Sequence, residues 1–293
     1  TLHLGAHKTA STHLQHALRL HNDVLIAQNV AFYSPPLMRA ENIDYMGRLG
    51  LIRDSDENPR DVLAEMKQAA GKLVISEENI LALAHPPSKP ENAPLYPRAD
   101  RALKKLLKAA PDVQFDLFLC VRDYAPFYQS LYSQNFYGGL FQPLDRFMDG
   151  FHYETLSWSD PLGALTALAN VRSVTIWRYE DYPAIGPKVI DAMIGDGAGA
   201  QVDLSSRVRH LGLSQLAAAE LLRIGADQPE KIAKPRKFEN RKIAADVARR
   251  YPVGSDNPKI SIWTSDELAA STARYHADLD QIAAHDKVTV LSI

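Results

Sequence analysis

Four apolar runs, separated by segments with helical patterning, constrain this chain more than any other feature. Residues 2–4, KLVIS at 72–76, VQFDLFLCV at 113–121 and VRSVTIWRY at 171–179 read as strands, the third being the strongest. The segment after the first run carries Leu14, Ala17, Leu18 and Leu25 on one side at helical spacing. Helices are also predicted over 61–70, stopped by Gly71, over the basic amphipathic stretch 98–109, from about 125 to 135, and over 160–169. Strands alternating with helices imply a parallel sheet covered on both faces. Ligands of such sheets bind beyond the carboxyl ends of the strands. Between these elements, Asn29 sits where a helix often ends in a left-handed residue. VAFYSPP then leaves in an extended form, and residues 85–97, with five prolines, form a loop. From about 184 onward the pattern is mostly helical, with helices near 184–194, 214–224, 238–250 and 265–284.

The chain has 293 residues, which fits one large α/β domain or two small ones. The reading adopted is a single domain over 1–293, with a motif-bearing α/β core to about 200 and a helical part from about 201. A formal charge of −2 and a pI near 6.5 leave no global basic field for nucleic acid or a membrane surface, so any anion site must be local. The lone cysteine, Cys120, lies inside the strongest strand, permits no intrachain disulfide, and fits a reducing, cytoplasmic setting. No run approaches the roughly 18 apolar residues of a membrane span.

Three polar clusters fall at strand ends. GAHKTAST follows the first strand and offers backbone N–H groups at a helix N-terminus, Lys8, and the hydroxyls of Thr9, Ser11 and Thr12, a set suited to an anion. It is not G-x-x-x-x-G-K-[ST], which argues against ATP or GTP, and an ordinary turn capped by Ser11 or Thr12 would look similar. SEEN, with Glu77 and Glu78, follows the second strand. In the third cluster Arg122 ends a strand and Ser130 lies eight residues later. A guanidinium fork suits a phosphate, whereas a solvated Arg122 paired with Asp123 is the plainer alternative.

Together these clusters resemble the PAPS-dependent sulfotransferases, the bacterial members most closely. Their 5′-phosphosulfate loop has the form H-x-G-x-x-K-T-G-T-T-x-L-Q. Here His3-Leu4-Gly5-Ala6-His7-Lys8-Thr9-Ala10-Ser11-Thr12-His13-Leu14-Gln15 matches it, with Ala10 in place of the glycine. Arg122 and Ser130 match the 3′-phosphate motif, and WRYEDY, Trp177 to Tyr182, matches a later Y-E-D strand end. The resemblance covers residues 1–182 by motif and fades in the C-terminal third. It implies a P-loop NTPase-like, three-layer α/β/α fold with a central parallel sheet and a mostly helical C-terminal third.

The implied reaction moves a sulfuryl group from PAPS to an acceptor hydroxyl, on a carbohydrate or glycolipid by family preference, leaving PAP and needing no metal. By resemblance, Lys8 stabilises the leaving phosphate. His7, Thr9, Ala10, Ser11 and Thr12 line the donor, Arg122 and Ser130 hold its 3′-phosphate, and Tyr179 approaches the nucleotide. Glu78 aligns best with the family base, with Glu77 one residue off as its rival. If the Ala10 position requires φ > 0, alanine is expected to weaken donor binding; if it is already helical, alanine costs nothing. The competing readings are a small-molecule kinase of the same fold and a non-catalytic nucleotide-binding protein.

Some signals stand outside this scheme. His13 and His16 are one helical turn apart, a spacing that could hold a metal. The aromatics of 124–141 suit either core packing or a stacked acceptor. Arg207 and Arg209 could reach a phosphate, and the basic run 231–242 could be a mobile flap or acceptor contact; solvated charges are the plainer alternative for both.

Overall fold

The computed structural model describes residues 1–81, 95–148, 155–205, 212–227 and 237–293. Its centre is a six-stranded, all-parallel sheet in the order β2-β3-β1-β4-β5-β6. The strands are β1 (Leu2–His3), β2 (Val30–Tyr33), β3 (Lys72–Ser76), β4 (Phe115–Val121), β5 (Val171–Arg178) and β6 (Val288–Leu291). From β1 the chain runs outward to β2, returns through β3, then crosses to β4 and builds the other half. Strand order therefore reverses at β1, and in open α/β sheets the carboxyl ends of the strands at such a reversal are where ligands bind.

Helices α1 (Ser11–Leu20), α2 (Asn22–Ala27), α3 (Pro35–Met38), α4 (Tyr45–Arg48) and α5 (Pro59–Lys67) precede α6 (Arg101–Ala109) and α7 (Tyr124–Tyr137). Then come α8 (Leu144–Phe147), α9 (Ser159–Thr166), α10 (Tyr182–Met193), α11 (Gln215–Asp227), α12 (Lys237–Arg250) and α13 (Ser265–Ala283). β4 shows why the sheet is central. Phe115, Leu117, Leu119 and Val121 enter one apolar cluster with α7 and α9, while Phe118 and Cys120 enter a second with α1, α2 and α10. A strand buried on both faces reads as one continuous apolar run.

The predicted strands and helices appear within a few residues of their expected bounds, and Asn29 adopts φ 55°. Two further strands join the four that the apolar runs predict. The extended segment after Asn29 is the edge strand β2, and VTVL near the C-terminus is β6, paired with β5 from Val174–Val288 to Trp177–Leu291. The helix expected to stop at Gly71 ends instead at Gln68, whose φ is 48°. SEEN leads into a short 3₁₀ turn, Glu78–Leu81.

Candidate functional site

The carboxyl ends of β3, β1 and β4, three adjacent strands, carry the three polar clusters. Leu2 and His3 pair with Ile75 and Ser76 on one side and with Leu117 and Phe118 on the other. Beyond His3 the backbone takes positive φ at Gly5 (46°), Lys8 (63°) and Ala10 (64°), with Thr9 outside that region. Such alternation of φ sign turns successive N–H groups into one concavity, which favours an anion. Glycine suits position 5, where φ of 46° strains a side chain and a Cβ would stand 2.5 Å from Ser11 Oγ.

Side chains pin the loop from beneath. Thr9 Oγ1 donates to the Ala6 carbonyl (2.6 Å), and the His7 N–H donates to the Tyr96 hydroxyl (3.0 Å), which also meets His7 Nδ1 at 3.2 Å. Lower still, Ser76 Oγ meets His3 Nδ1 (2.7 Å) and accepts from Gln15 Nε2 (3.0 Å), tying β3, β1 and α1 together. Burial holds the His3 and His7 imidazoles down to about 4; at His7 the charges of Lys8 and Arg39 add to the effect. At the mouth, Thr12 is exposed, while Ser11 Oγ is buried with no hydrogen-bond partner among the described residues.

Ala10 is the residue before α1 and sits at φ 64°, ψ 17° with no side-chain cap. An alanine pays about 1 kcal/mol for left-handed backbone that glycine adopts freely. The position is one that needs φ > 0, so alanine there is costly.

Arg122, at the end of β4, crosses to the loop, where its Nη1 donates to the Lys8 carbonyl at 2.7 Å. Its guanidinium lies over the Tyr179 ring, 4.3 Å from the centroid, and its Nε is buried without a partner among the described residues. Burial lowers the Arg122 pKa against the pull of Tyr179 and Glu180. Lys8 is lowered by burial and then by Arg122, with Glu78 opposing. The Arg122–Asp123 pair, the plainer alternative, is not formed. Asp123 instead accepts from the Ser271 and Thr272 hydroxyls and caps α7 at the Ala125 N–H. Ser130 is half-buried, about 9 Å along α7 from Tyr124.

The two glutamates separate cleanly. Glu77 is fully buried, and its carboxylate takes Arg39 Nε at 2.8 Å, Arg39 Nη2, and the Asn79 N–H at 2.9 Å. It is the cap of the 3₁₀ turn, and its own N–H donates to the His3 carbonyl. Glu78 is half-buried and makes no hydrogen bond or ion pair among the described residues. Burial, then the Glu77 charge, raises its pKa against Arg39 and Lys8. Arg39, on the residue following α3, carried no sequence signal, and neither did Tyr96.

Beside Glu78 a cleft of about 250 Å³ opens between α1 and α3, lined by Thr12, Gln15, His16, Arg19, Pro35 and Pro36. A larger cavity, about 340 Å³, lies at the β6 edge around the Arg178–Asp181 ion pair, away from the loop. The His13–His16 pairing is not built, because His13 meets the Tyr182 hydroxyl (2.9 Å) and the Leu204 carbonyl (3.1 Å). The aromatics Tyr124, Phe127, Tyr128, Tyr132, Phe136 and Phe141 are core residues. Arg207, Arg209 and residues 231–236 lie outside the described residues.

The site therefore offers an anion-receptive loop, two flanking cations and a desolvated carboxylate. No protein-family model, no curated protein and no solved structure matches this chain.

Proposed function

We propose that the chain is a PAPS-dependent sulfotransferase of P-loop NTPase-like fold. The observation that carries this reading is the hydrogen bond from Arg122 Nη1 to the Lys8 carbonyl, which joins the expected 3′-phosphate cluster to the expected 5′-phosphosulfate loop. The reversal of strand order at β1 supports it as well. So do the orphaned Ser11 Oγ and Arg122 Nε, buried polar atoms that a phosphate-bearing ligand would satisfy.

When bound, the donor supplies an activated sulfuryl group whose bridging oxygen leaves with the phosphate. Glu78 takes the proton of the acceptor hydroxyl as that oxygen bonds to sulfur. Lys8 and the loop N–H groups hold the charge that the breaking sulfur–oxygen bond leaves on the phosphate oxygen. Arg122 and Ser130 bind the 3′-phosphate, which separates PAPS from ATP. Glu77, committed to Arg39, fixes the turn that presents Glu78 and does not move a proton itself.

Calorimetric titration of PAP, ATP and ADP tests this. Wild type is expected to take PAP and to discriminate against ATP and ADP. Arg122→Ala and, independently, Ser130→Ala should weaken PAP by about 10- to 100-fold, the value of a hydrogen bond to a charged group. Absence of PAP binding by the wild type overturns the reading. PAP binding without sulfuryl transfer to any acceptor leaves a nucleotide-binding protein of this fold.

A further inference from the structure

The cleft beside Glu78 is shaped by one face of α1. Thr12, Gln15, His16 and Arg19 follow helical spacing and face Pro35, Pro36 and Glu78 across it. Thr12 ends the loop and also lines the cleft, so the cleft starts where the loop stops. Gln15 is tied to Ser76. Thr12, His16, Arg19 and Glu78 make no hydrogen bond or ion pair among the described residues. Arg19 is exposed in the last turn of α1, where a cation also gains from the helix dipole, but that gain does not require it to border a cleft.

The charges around this space are uneven. Glu77 and Arg39 cancel each other. Glu78 supplies one negative charge at the loop end, and Arg19 supplies one positive charge about 10 Å further along the helix axis from Thr12. Helical side chains lean toward the N-terminus, which brings the guanidinium back toward the loop. The volume equals about eight waters at ~30 Å³ each, enough for a single ring-sized unit. Two prolines form a rigid apolar wall suited to the flat face of such a ring.

We infer that this cleft is the acceptor subsite and that it takes a hydroxyl compound carrying a carboxylate, the carboxylate held by Arg19 beside His16 and the hydroxyl presented to Glu78. This rests on the sulfotransferase reading for the fate of the hydroxyl, and on the cleft alone for the charge preference. A single arginine matches the single charge of a carboxylate through its planar fork.

The test uses methyl β-D-glucuronide and methyl β-D-glucoside, which share a ring and differ at the carboxylate. Each is titrated into the full chain, with and without PAP, and followed by saturation-transfer NMR. The glucuronide is expected to bind at least ~10-fold tighter than the glucoside, as a hydrogen bond between charged groups implies. Arg19→Gln should erase that preference and leave PAP affinity unchanged, since Arg19 contributes nothing to the donor loop. His16→Gln should reduce it only in part. Equal binding of the two probes, no binding of either, or a preference that survives Arg19→Gln each overturns the inference. If PAP fails to bind while the glucuronide preference and its loss in Arg19→Gln persist, the carboxylate site stands and the sulfotransferase reading falls. If PAP binds and the preference is absent, only the acceptor inference falls.

Discussion

Glu78 and Asp278 are both carboxylates withdrawn from water, yet the fold treats them in opposite ways. Asp278, on α13, is almost fully buried and accepts from the Tyr124 and Ser157 hydroxyls, the Trp158 N–H, and the N–H and hydroxyl of Ser159. Those bonds clamp α7, the start of α9 and α13 together. Glu78 receives no donor among the described residues and faces a second carboxylate, so its charge is disfavoured rather than satisfied. A buried acid with every lone pair occupied is a structural clamp; one desolvated without donors is poised to take a proton. Glu77 repeats the lesson one residue away, since Arg39 and Asn79 make it a clamp as well.

The comparison is most exposed to failure at Glu78 itself. On the proposed sulfotransferase reading, Glu78→Gln should lower sulfuryl transfer by about 10²- to 10⁴-fold, the usual value of a positioned general base, with PAP affinity retained. Its folded pKa is raised, so its contribution to stability is present below the unfolded value and lost as pH rises through the folded one. At neutral pH the charged form costs stability, and Glu78→Gln should melt no lower than wild type. A melting temperature several degrees below wild type would make Glu78 a clamp after all. In the wild type, kcat/KM should fall on acidification at a pH above the ordinary carboxylate range, and a flat profile down to pH 4 would remove Glu78 from the proton transfer.

Asp278→Ala should do the reverse. It strands several buried donors and should cost about 3 kcal/mol or more in denaturant unfolding. Stability equal to wild type would show that the clamp carries no weight.

His3 extends the contrast to the floor of the site. Its imidazole is neutral in the fold down to about 4, whereas the unfolded chain protonates near 6.5. Stability is therefore intact above pH 6.5 and should fall by about 3 kcal/mol as pH drops to 4. His3→Gln should flatten that slope, measured as unfolding free energy against pH, and an unchanged slope would assign the acid sensitivity elsewhere.

The smallest effect is expected at Ala10. Ala10→Gly relieves a left-handed alanine and should stabilise the chain by up to about 1 kcal/mol, partly offset by the greater freedom of glycine in the unfolded chain. PAP should bind no more weakly than to wild type. A destabilised glycine variant would mean that the loop does not hold this φ in solution.

Much of this site is legible in the amino-acid sequence alone. The loop, SEEN and Arg122 were readable because each directly follows a continuous apolar run, and a buried parallel strand announces itself in that way. β6 escaped because VTVL is short, half-buried and set beyond a long helix, so its period carried little signal. The roles of Glu77 and Glu78 were equally hidden. Adjacent glutamates have identical local chemistry, and the deciding partner, Arg39, is 38 residues away from Glu77.

The sequence by itself determined the parallel α/β plan and the order in which polar clusters meet the strand ends, because period and composition are local properties of the chain. It also determined that position 10 is alanine. Only the tertiary structure decided that position 10 is left-handed, that Arg122 bonds the loop rather than Asp123, and that Glu78, not Glu77, lacks donors. Those outcomes depend on which groups distant in sequence are brought together and on what water they exclude, and burial of that kind exists only once the chain is folded.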